Sequence, residues 1–282
     1  MSRWRRIAAG VVVVSMAGYL AACGYMWSQQ KHLVFEPSPV IQTTPARLGM
    51  KFEALRIPVG SGDERGELAA WWVPAERAGA ATILYFHGNY RNIGNNLDHT
   101  RRLHDLGYNV LLADYRGFGE STGGQPSEAR VYEDAEAAWQ YLLKVRGIDP
   151  RQAFIYGHSL GGAVAIELAV HHPEAAGLIT ESTFTSMQAM GELEYGYLPV
   201  GLILNQRFDS LQKIAALKLP VLLIHGSWDK KIPAAMAQQL YAAAPQPKRL
   251  TLIEGGEHND SGMVGWVEYR DAVSAFVGQY AH

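Results

Sequence analysis

The apolar residues of this chain change period along its length. From Ile7 to about Trp27 they form one uncharged, mostly apolar run. Downstream of Pro45, short apolar runs of strand length alternate with longer runs of helical period. Phe52–Val59 and Leu68–Val73 read as early antiparallel strands, and Thr82–Phe86, Val110–Ala113, Phe154–Tyr156, Leu178–Thr180, Val221–His225 and Leu250–Ile253 as later ones. Asn92–Leu106, Ser127–Val145, Ser159 to about His171, Ala234–Ala243 and Val264–Tyr280 carry the helical pattern. Pro126-Ser127 opens the second of these helices and Gly147 lies just past its end, as start and stop residues do.

This alternation predicts an α/β fold, a mostly parallel sheet of about eight strands with helices on both faces. Ligands then bind at the carboxyl ends of the strands. No internal repeat or low-complexity stretch interrupts the pattern. The longest interruption runs from Glu181 to about Lys218 and carries Met187, Met190, Tyr195, Tyr197, Leu198 and Leu202. It reads as a short cap, about residues 182–218, over the site.

The first apolar run changes the picture of the N-terminus. Arg3, Arg5 and Arg6 precede it, so it reads as a membrane-inserting segment whose arginines stay cytoplasmic and whose following domain lies on the other side. Its length, about 20 residues, suffices for one transmembrane helix. Leu20-Ala21-Ala22-Cys23 also fits a bacterial lipobox, in which cleavage before Cys23 leaves a lipidated cysteine; a released signal peptide is the third reading. Tyr25-Met26-Trp27 lacks the Ser/Gly-rich tether of a lipoprotein and reads as an interfacial aromatic belt. The expected organisation is an anchor or lipoprotein signal over residues 1–30 and a single catalytic domain over residues 31–282. A bacterial source, with the domain periplasmic or extracellular, is the accompanying expectation.

A formal net charge of −2 offers no basic face for a nucleic-acid partner. The single cysteine, Cys23, allows no intramolecular disulfide and leaves the folded body without a cysteine nucleophile.

Gly157-His158-Ser159-Leu160-Gly161 fits G-x-S-x-G. The pattern is weak by itself, but here an apolar strand precedes it and an Ala/Val-rich helix follows. That context predicts a strained turn exposing the Ser159 hydroxyl at a helix N-terminus. A serine needs a neighbouring base, and the chain order expected is Ser, then acid, then His. Asp229 follows the Val221–His225 strand and His258 follows the last strand, both on the sheet edge that carries Ser159. The rival acid is Glu181, just past Leu178–Thr180, while Asp260 reads as the N-cap of the final helix. For the oxyanion hole, one N–H is expected from Leu160 and the other from Asn89, with Tyr90 second. His87 reads as a loop anchor and His158 as packing or tuning the pocket. Asp114–Ser121 lacks nucleotide-binding glycine spacing and reads as a turn supporting the site's rim.

With these residues in view, the chain resembles the single-pass, membrane-anchored α/β-hydrolases of the bud-emergence type, within the serine aminopeptidase-like and monoacylglycerol-lipase-like hydrolases. The resemblance covers nearly the whole chain. It rests on His87-Gly88-Asn89, Asp114–Gly119 with Ser121, Pro126-Ser127-Glu128, Gly157–Gly162, Glu181-Ser182-Thr183-Phe184, His225-Gly226 through Asp229, and Gly256–Asp260. It implies the α/β-hydrolase fold, Ser159, Asp229 and His258 in the roles above, and a retained N-terminal helix followed by a segment like Leu33–Pro37. The lipobox departs from that pattern. Relatives include esterases, lipases, peptidases and protein-depalmitoylating thioesterases, so no substrate is fixed.

The expected activity is hydrolysis of a carboxylic ester or thioester, from a small molecule or lipid, through an acyl-enzyme on Ser159, with no metal or organic cofactor. The alternatives are a serine peptidase, an acyl-protein thioesterase and a catalytically silent membrane scaffold.

Overall fold

The structure is a computed structural model describing residues 3–282; residues 1 and 2 of the expected N-terminal segment lie outside the described residues. A long helix, α1 (Arg3–Val34), leads into a short strand, β1 (Glu36–Pro37). Then come β2 (Glu53–Val59), β3 (Gly66–Val73), β4 (Thr82–Phe86), β5 (Tyr90–Arg91), α2 (Leu97–Asp105), β6 (Asn109–Ala113) and α3 (Glu128–Lys144). The centre of the chain forms β7 (Ala153–His158), α4 (Leu160–His171) and β8 (Gly177–Glu181). Three short helices follow, α5 (Met187–Glu194), α6 (Val200–Ile203) and α7 (Ser210–Ile214). The chain closes with β9 (Val221–Gly226), α8 (Ala234–Ala243), β10 (Lys248–Ile253), α9 (Ser261–Val264) and α10 (Trp266–Tyr280).

Eight strands form one sheet in the order β10-β9-β8-β7-β4-β6-β3-β2, while β1 and β5 pair separately. β2–β3 and β3–β6 are antiparallel and the other neighbours parallel. The period of two splits the strand residues between two cores. Leu84, Phe86, Ile155 and Leu223 pack with α3, α4 and α8, whereas Ile83, Tyr85, Phe154 and Ile224 pack with α2 and α10. The sheet is therefore covered on both faces, and its buried parallel strands read as continuous apolar runs for that reason. This is the α/β-hydrolase fold.

Three local differences from the sequence reading have physical causes. The helix expected over Asn92–Leu106 starts later, because the Asn92 side chain accepts from Gly94 N–H and caps a separate 3-10 turn, Ile93–Asn95. The closing helix divides at Gly265, where a Cβ would collide with Ile253 of β10. Asp260 does not cap the helix with its side chain. It turns back to accept from Glu257 N–H at 2.6 Å and closes the turn that carries His258.

α1 is the one helix among the described residues long and apolar enough to cross a membrane, with a mean hydropathy of 2.0 over its most apolar window, of which 6% is buried. Its C-terminal turns are tied to the segment between β8 and β9. Cys23 is buried beside Leu198 and Val200. The Gln30 side chain donates to Ile203 O and accepts from Asn205 N–H, each at 2.6 Å.

Candidate active site

β7 is flanked by β4 and β8 at the middle of the sheet, and its last residue leads straight into Ser159 and α4. Ser159 has φ 55° and ψ −121°, a region that L-residues avoid; holding it there costs of order 1–3 kcal/mol, supplied by the surrounding packing. Its N–H donates to Glu181 O at 2.9 Å, and its carbonyl accepts from Thr183 Oγ1 at 2.8 Å and Gly162 N–H at 2.9 Å. Glycine is required on both sides of the turn. A Cβ on Gly157 would collide with the Gly161 carbonyl, and a Cβ on Gly161 with the Phe86 carbonyl.

The loops after β9 and β10 bring the acid and the imidazole to the same place. His258 Nε2 lies 3.0 Å from Ser159 Oγ, and His258 Nδ1 lies 2.8 Å from Asp229 Oδ2. A carboxylate only accepts, so Nδ1 carries the proton and Nε2 is free to accept from the serine hydroxyl. Asp229 Oδ1 accepts from Lys231 and Ile232 N–H at 2.9 and 2.8 Å. Burial raises the Asp229 pKa, but the His225, His258 and Ile232 N–H groups outweigh it and hold the carboxyl well below the usual range. Ser159, Asp229 and His258 are all buried, at 8%, 6% and 9% exposure, which strengthens the electrostatics between them.

Residues 78–199 match the family model described as serine aminopeptidase, S33, a span holding Ser159, Leu160 and Asn89. Protein bem46 of Schizosaccharomyces pombe is 33% identical over 84% of this chain and 82% of its own length. The chain belongs to the bud-emergence-type α/β-hydrolases. An uncharacterized protein of Mycobacterium tuberculosis is 35% identical over 91% of this chain and 90% of its own length. The solved Pyrococcus furiosus esterase Pf2001 shares the fold, with a TM-score of 0.70 at 20% identity over 88% of this chain and 99% of that one.

In this hydrolase the loop after β4 presses close to the serine. A Cβ on Gly88 would stand 3.3 Å from Ser159 Cβ. Asn89 is fixed by its own carbonyl, which accepts from Glu36 N–H, and by its side chain, which donates to Val34 O, both at 2.9 Å. Among the described residues, the backbone N–H groups of Asn89 and Leu160 have no hydrogen-bond partner. Tyr90, the second candidate, lies in β5 and pairs with Glu36. His87 is fully buried, its Nδ1 2.7 Å from Gly88 O and its Nε2 3.0 Å from Asp114 Oδ1, away from the serine. Arg116 is pinned by Asp134 at 2.6 Å and holds the Asp114–Ser121 turn.

Glu181 does not reach His258. Its carboxylate faces Arg102 at 3.4 Å, His99 at 3.6 Å and the Tyr156 hydroxyl. Burial raises its pKa, yet the Arg102 charge, with help from His99, prevails and brings it down to about 2. Sequence reasoning missed this buried cluster. One signal was present: His99, Arg102 and Leu103 share a helical stripe of α2 (spacing i, i+3, i+4), where a cation on an apolar stripe asks for a buried partner.

The space around Ser159 has two arms. A cleft of ≈ 490 Å³ is lined by polar groups, among them Asn95, Asp98, His99, His158 and Lys231. A smaller cavity of ≈ 180 Å³ shares Glu36, Asn89, Ser159 and Lys231 with the cleft and is otherwise lined by apolar groups, among them Leu160, Phe184, Met187, Met190 and Ile232.

Proposed function

We propose that this protein is a serine hydrolase that cleaves carboxylic esters or thioesters through an acyl-enzyme on Ser159. The observation that carries the reading is the unbroken relay Ser159 Oγ–His258 Nε2, His258 Nδ1–Asp229 Oδ2, at 3.0 and 2.8 Å. His258 takes the hydroxyl proton as Oγ attacks the carbonyl carbon, and Asp229 holds the ring and stabilises the imidazolium. The unpartnered N–H groups of Leu160 and Asn89 receive the oxyanion, assisted by the N-terminus of α4. His258 then protonates the leaving alcohol or thiol, and water, activated by the same imidazole, releases the acid.

The N-terminal segment is read as a retained anchor, with Arg3, Arg5 and Arg6 on the cytoplasmic side and the catalytic domain, residues 31–282 with its cap at about 182–218, on the other. Two contacts with the cap favour retention over cleavage before Cys23: the Cys23 side chain is buried beside Leu198 and Val200, where it has no room for a lipid, and Tyr19, upstream of the cleavage point, donates to Tyr197 O.

A second reading, a serine peptidase taking a free amino terminus, is favoured by one observation: Glu36 lines both arms of the cleft and offers an anionic group to an amine. The test is hydrolysis of p-nitrophenyl esters and aminoacyl p-nitroanilides by the full chain in detergent, beside Ser159→Ala. Ester cleavage abolished by the substitution supports the esterase; anilide cleavage alone supports the peptidase. Equal ester cleavage by both proteins removes Ser159 from the chemistry.

A further inference from the structure

The small apolar cavity beside Ser159 does not end at the catalytic domain. It shares Leu33, Val34, Met187 and Met190 with a groove of ≈ 340 Å³ between the C-terminal turns of α1 and helices α5 and α6. Met26 and Leu33 line the groove from α1; Met190, Leu198 and Val200 line it from the opposite side. Glu36 borders the cavity, the groove and the polar cleft alike, and so marks where the apolar and polar arms meet.

We propose that this groove binds the long acyl chain of the substrate, and that the anchor helix α1 is itself one wall of the binding site. The inference rests on the serine-hydrolase reading and names its substrate class: long-chain acyl esters or thioesters with a polar leaving group. Three observations select an acyl chain as the occupant. The groove adjoins the cavity that contains Ser159 and Leu160, the two sharing Leu33, Val34, Glu36, Met187 and Met190 as lining. Its walls are mostly Met, Leu, Val and Ile, which recognise methylenes without directional demands. One wall is the C-terminal end of the helix apolar enough to cross a membrane, which sets the groove beside the segment read as the anchor. The polar cleft is left for the alcohol or thiol. In the step itself the acyl carbon bonds to Ser159 Oγ, the C–O or C–S bond breaks, and the leaving group takes the proton carried by His258; water then frees the long-chain acid.

The wall is held in place by specific contacts. Gln30 bridges Ile203 and Asn205, Tyr19 Oη donates to Tyr197 O at 3.2 Å, and Asn205 Nδ2 donates to Trp27 O at 3.3 Å. Anchoring and chain-length selection are therefore properties of the same helix.

The experiment uses the full chain in detergent. Leu33→Trp and Met190→Trp fill the groove from opposite walls, and Leu193→Trp, on an exposed part of α5 outside it, is the control. Each buried methylene contributes roughly fourfold to affinity, so blocking even part of the groove lowers the palmitate-to-acetate ratio of kcat/KM for p-nitrophenyl esters by about tenfold or more. In parallel, a fluorescent palmitate analogue is titrated into Ser159→Ala with and without Leu33→Trp, a readout that needs no turnover. Affinity lowered about tenfold by Leu33→Trp supports the groove even if the wild type cleaves no ester, an outcome in which only the esterase reading falls. Serine-dependent ester cleavage, with the chain-length ratio and the palmitate affinity unmoved by Leu33→Trp and Met190→Trp, overturns the groove and leaves the esterase standing.

Discussion

His158 Nε2 donates to the backbone carbonyl of His258 across 3.0 Å, tying the residue before the proposed nucleophile to the residue proposed as its base. The acceptor is a carbonyl, so the proton sits on Nε2. The ring is packed between His258 and His99, with centroids at 5.2 and 4.5 Å. The strand end that strains Ser159 therefore also fixes the loop carrying His258. We expect His158→Ala to lower kcat about ten- to a hundredfold with a smaller change in KM, because misplacement of the base by an ångström is costly, whereas His158 is only one of many residues lining the cleft proposed for the leaving group. His158→Gln, whose amide N–H reaches a similar position, should restore part of the loss. Equal losses for both variants, or a loss confined to KM, would remove the positioning role.

The same histidine gives stability a pH signature. Burial, reinforced by the nearby His258 and Arg102, pushes the His158 pKa down to about 4 against the opposing pull of Glu181. Burial lowers His99 as well, with Arg102 adding to the effect. Both rings are thus neutral in the folded protein, while in the unfolded chain they take a proton near the ordinary value of about 6.5. Their contribution is complete above about pH 6.5 and is lost as pH falls toward 4. Glu181, already down at about 2, adds its own loss only below the ordinary carboxylate range. Thermal unfolding of the full chain between pH 7 and 4 should show a falling midpoint, and His158→Gln should flatten that fall. A midpoint independent of pH over this window would contradict the assignment.

Two acids lie near the site, and substitution separates them. Asp229→Asn replaces the acceptor that fixes the His258 tautomer; the expected loss in kcat is roughly 10⁴-fold, the size seen when a triad acid becomes an amide. Glu181→Gln leaves the relay intact but strands the buried Arg102 guanidinium. Breaking a buried pair costs about 3–5 kcal/mol, so that variant should lose stability while keeping most of its turnover per folded molecule. Urea unfolding and active-site titration with a fluorophosphonate, run on both, distinguish the outcomes. The reverse pattern would make Glu181 the working acid.

The fold was legible because periodicity is a local property. β4, β7 and β9 are buried on both faces and appear as unbroken apolar runs, and G-x-S-x-G falls where such a run turns into a helix. Chain order supplied Asp229 and His258 as candidates, since loops after successive parallel strands gather on one edge. What escaped the sequence depends on contacts between distant segments. Arg102 meets Glu181 across 79 residues, and the helical stripe that asks for a buried partner does not say which distant residue supplies it. The involvement of Leu33 and Val34 in the space beside Ser159 escaped too, because an apolar anchor reads the same whether it faces lipid, a cap or a substrate. Asp260 stands at the N-cap position of α9, as its spacing suggests, but the geometry of the His258 turn claims its side chain.

The glycines around Ser159 differ in what they tolerate, and that difference tests how the oxyanion hole is built. Gly161 abuts the carbonyls of Phe86 and His87, so a methyl there must displace main chain of a central strand. Overpacking a tight core costs typically 1–3 kcal/mol, and main chain in a central strand yields less readily than side chains, so Gly161→Ala should lose roughly 3 kcal/mol or fail to fold. Gly88 is less confined: its added Cβ would lie 3.3 Å from Ser159 Cβ and 3.6 Å from His158 Nδ1, a crowding relieved by a shift of a few tenths of an ångström. Gly88→Ala should therefore fold with a near-normal melting temperature. The shift moves the adjoining Asn89 N–H relative to Leu160 N–H, and oxyanion stabilisation is sensitive to such spacing. We expect kcat to fall by about tenfold or more, with labelling by fluorophosphonate slowed in parallel because that reaction develops the same oxyanion charge. Full activity in a stable Gly88→Ala protein would show that the loop after β4 does not furnish the second donor, and Asn89 would lose its proposed role.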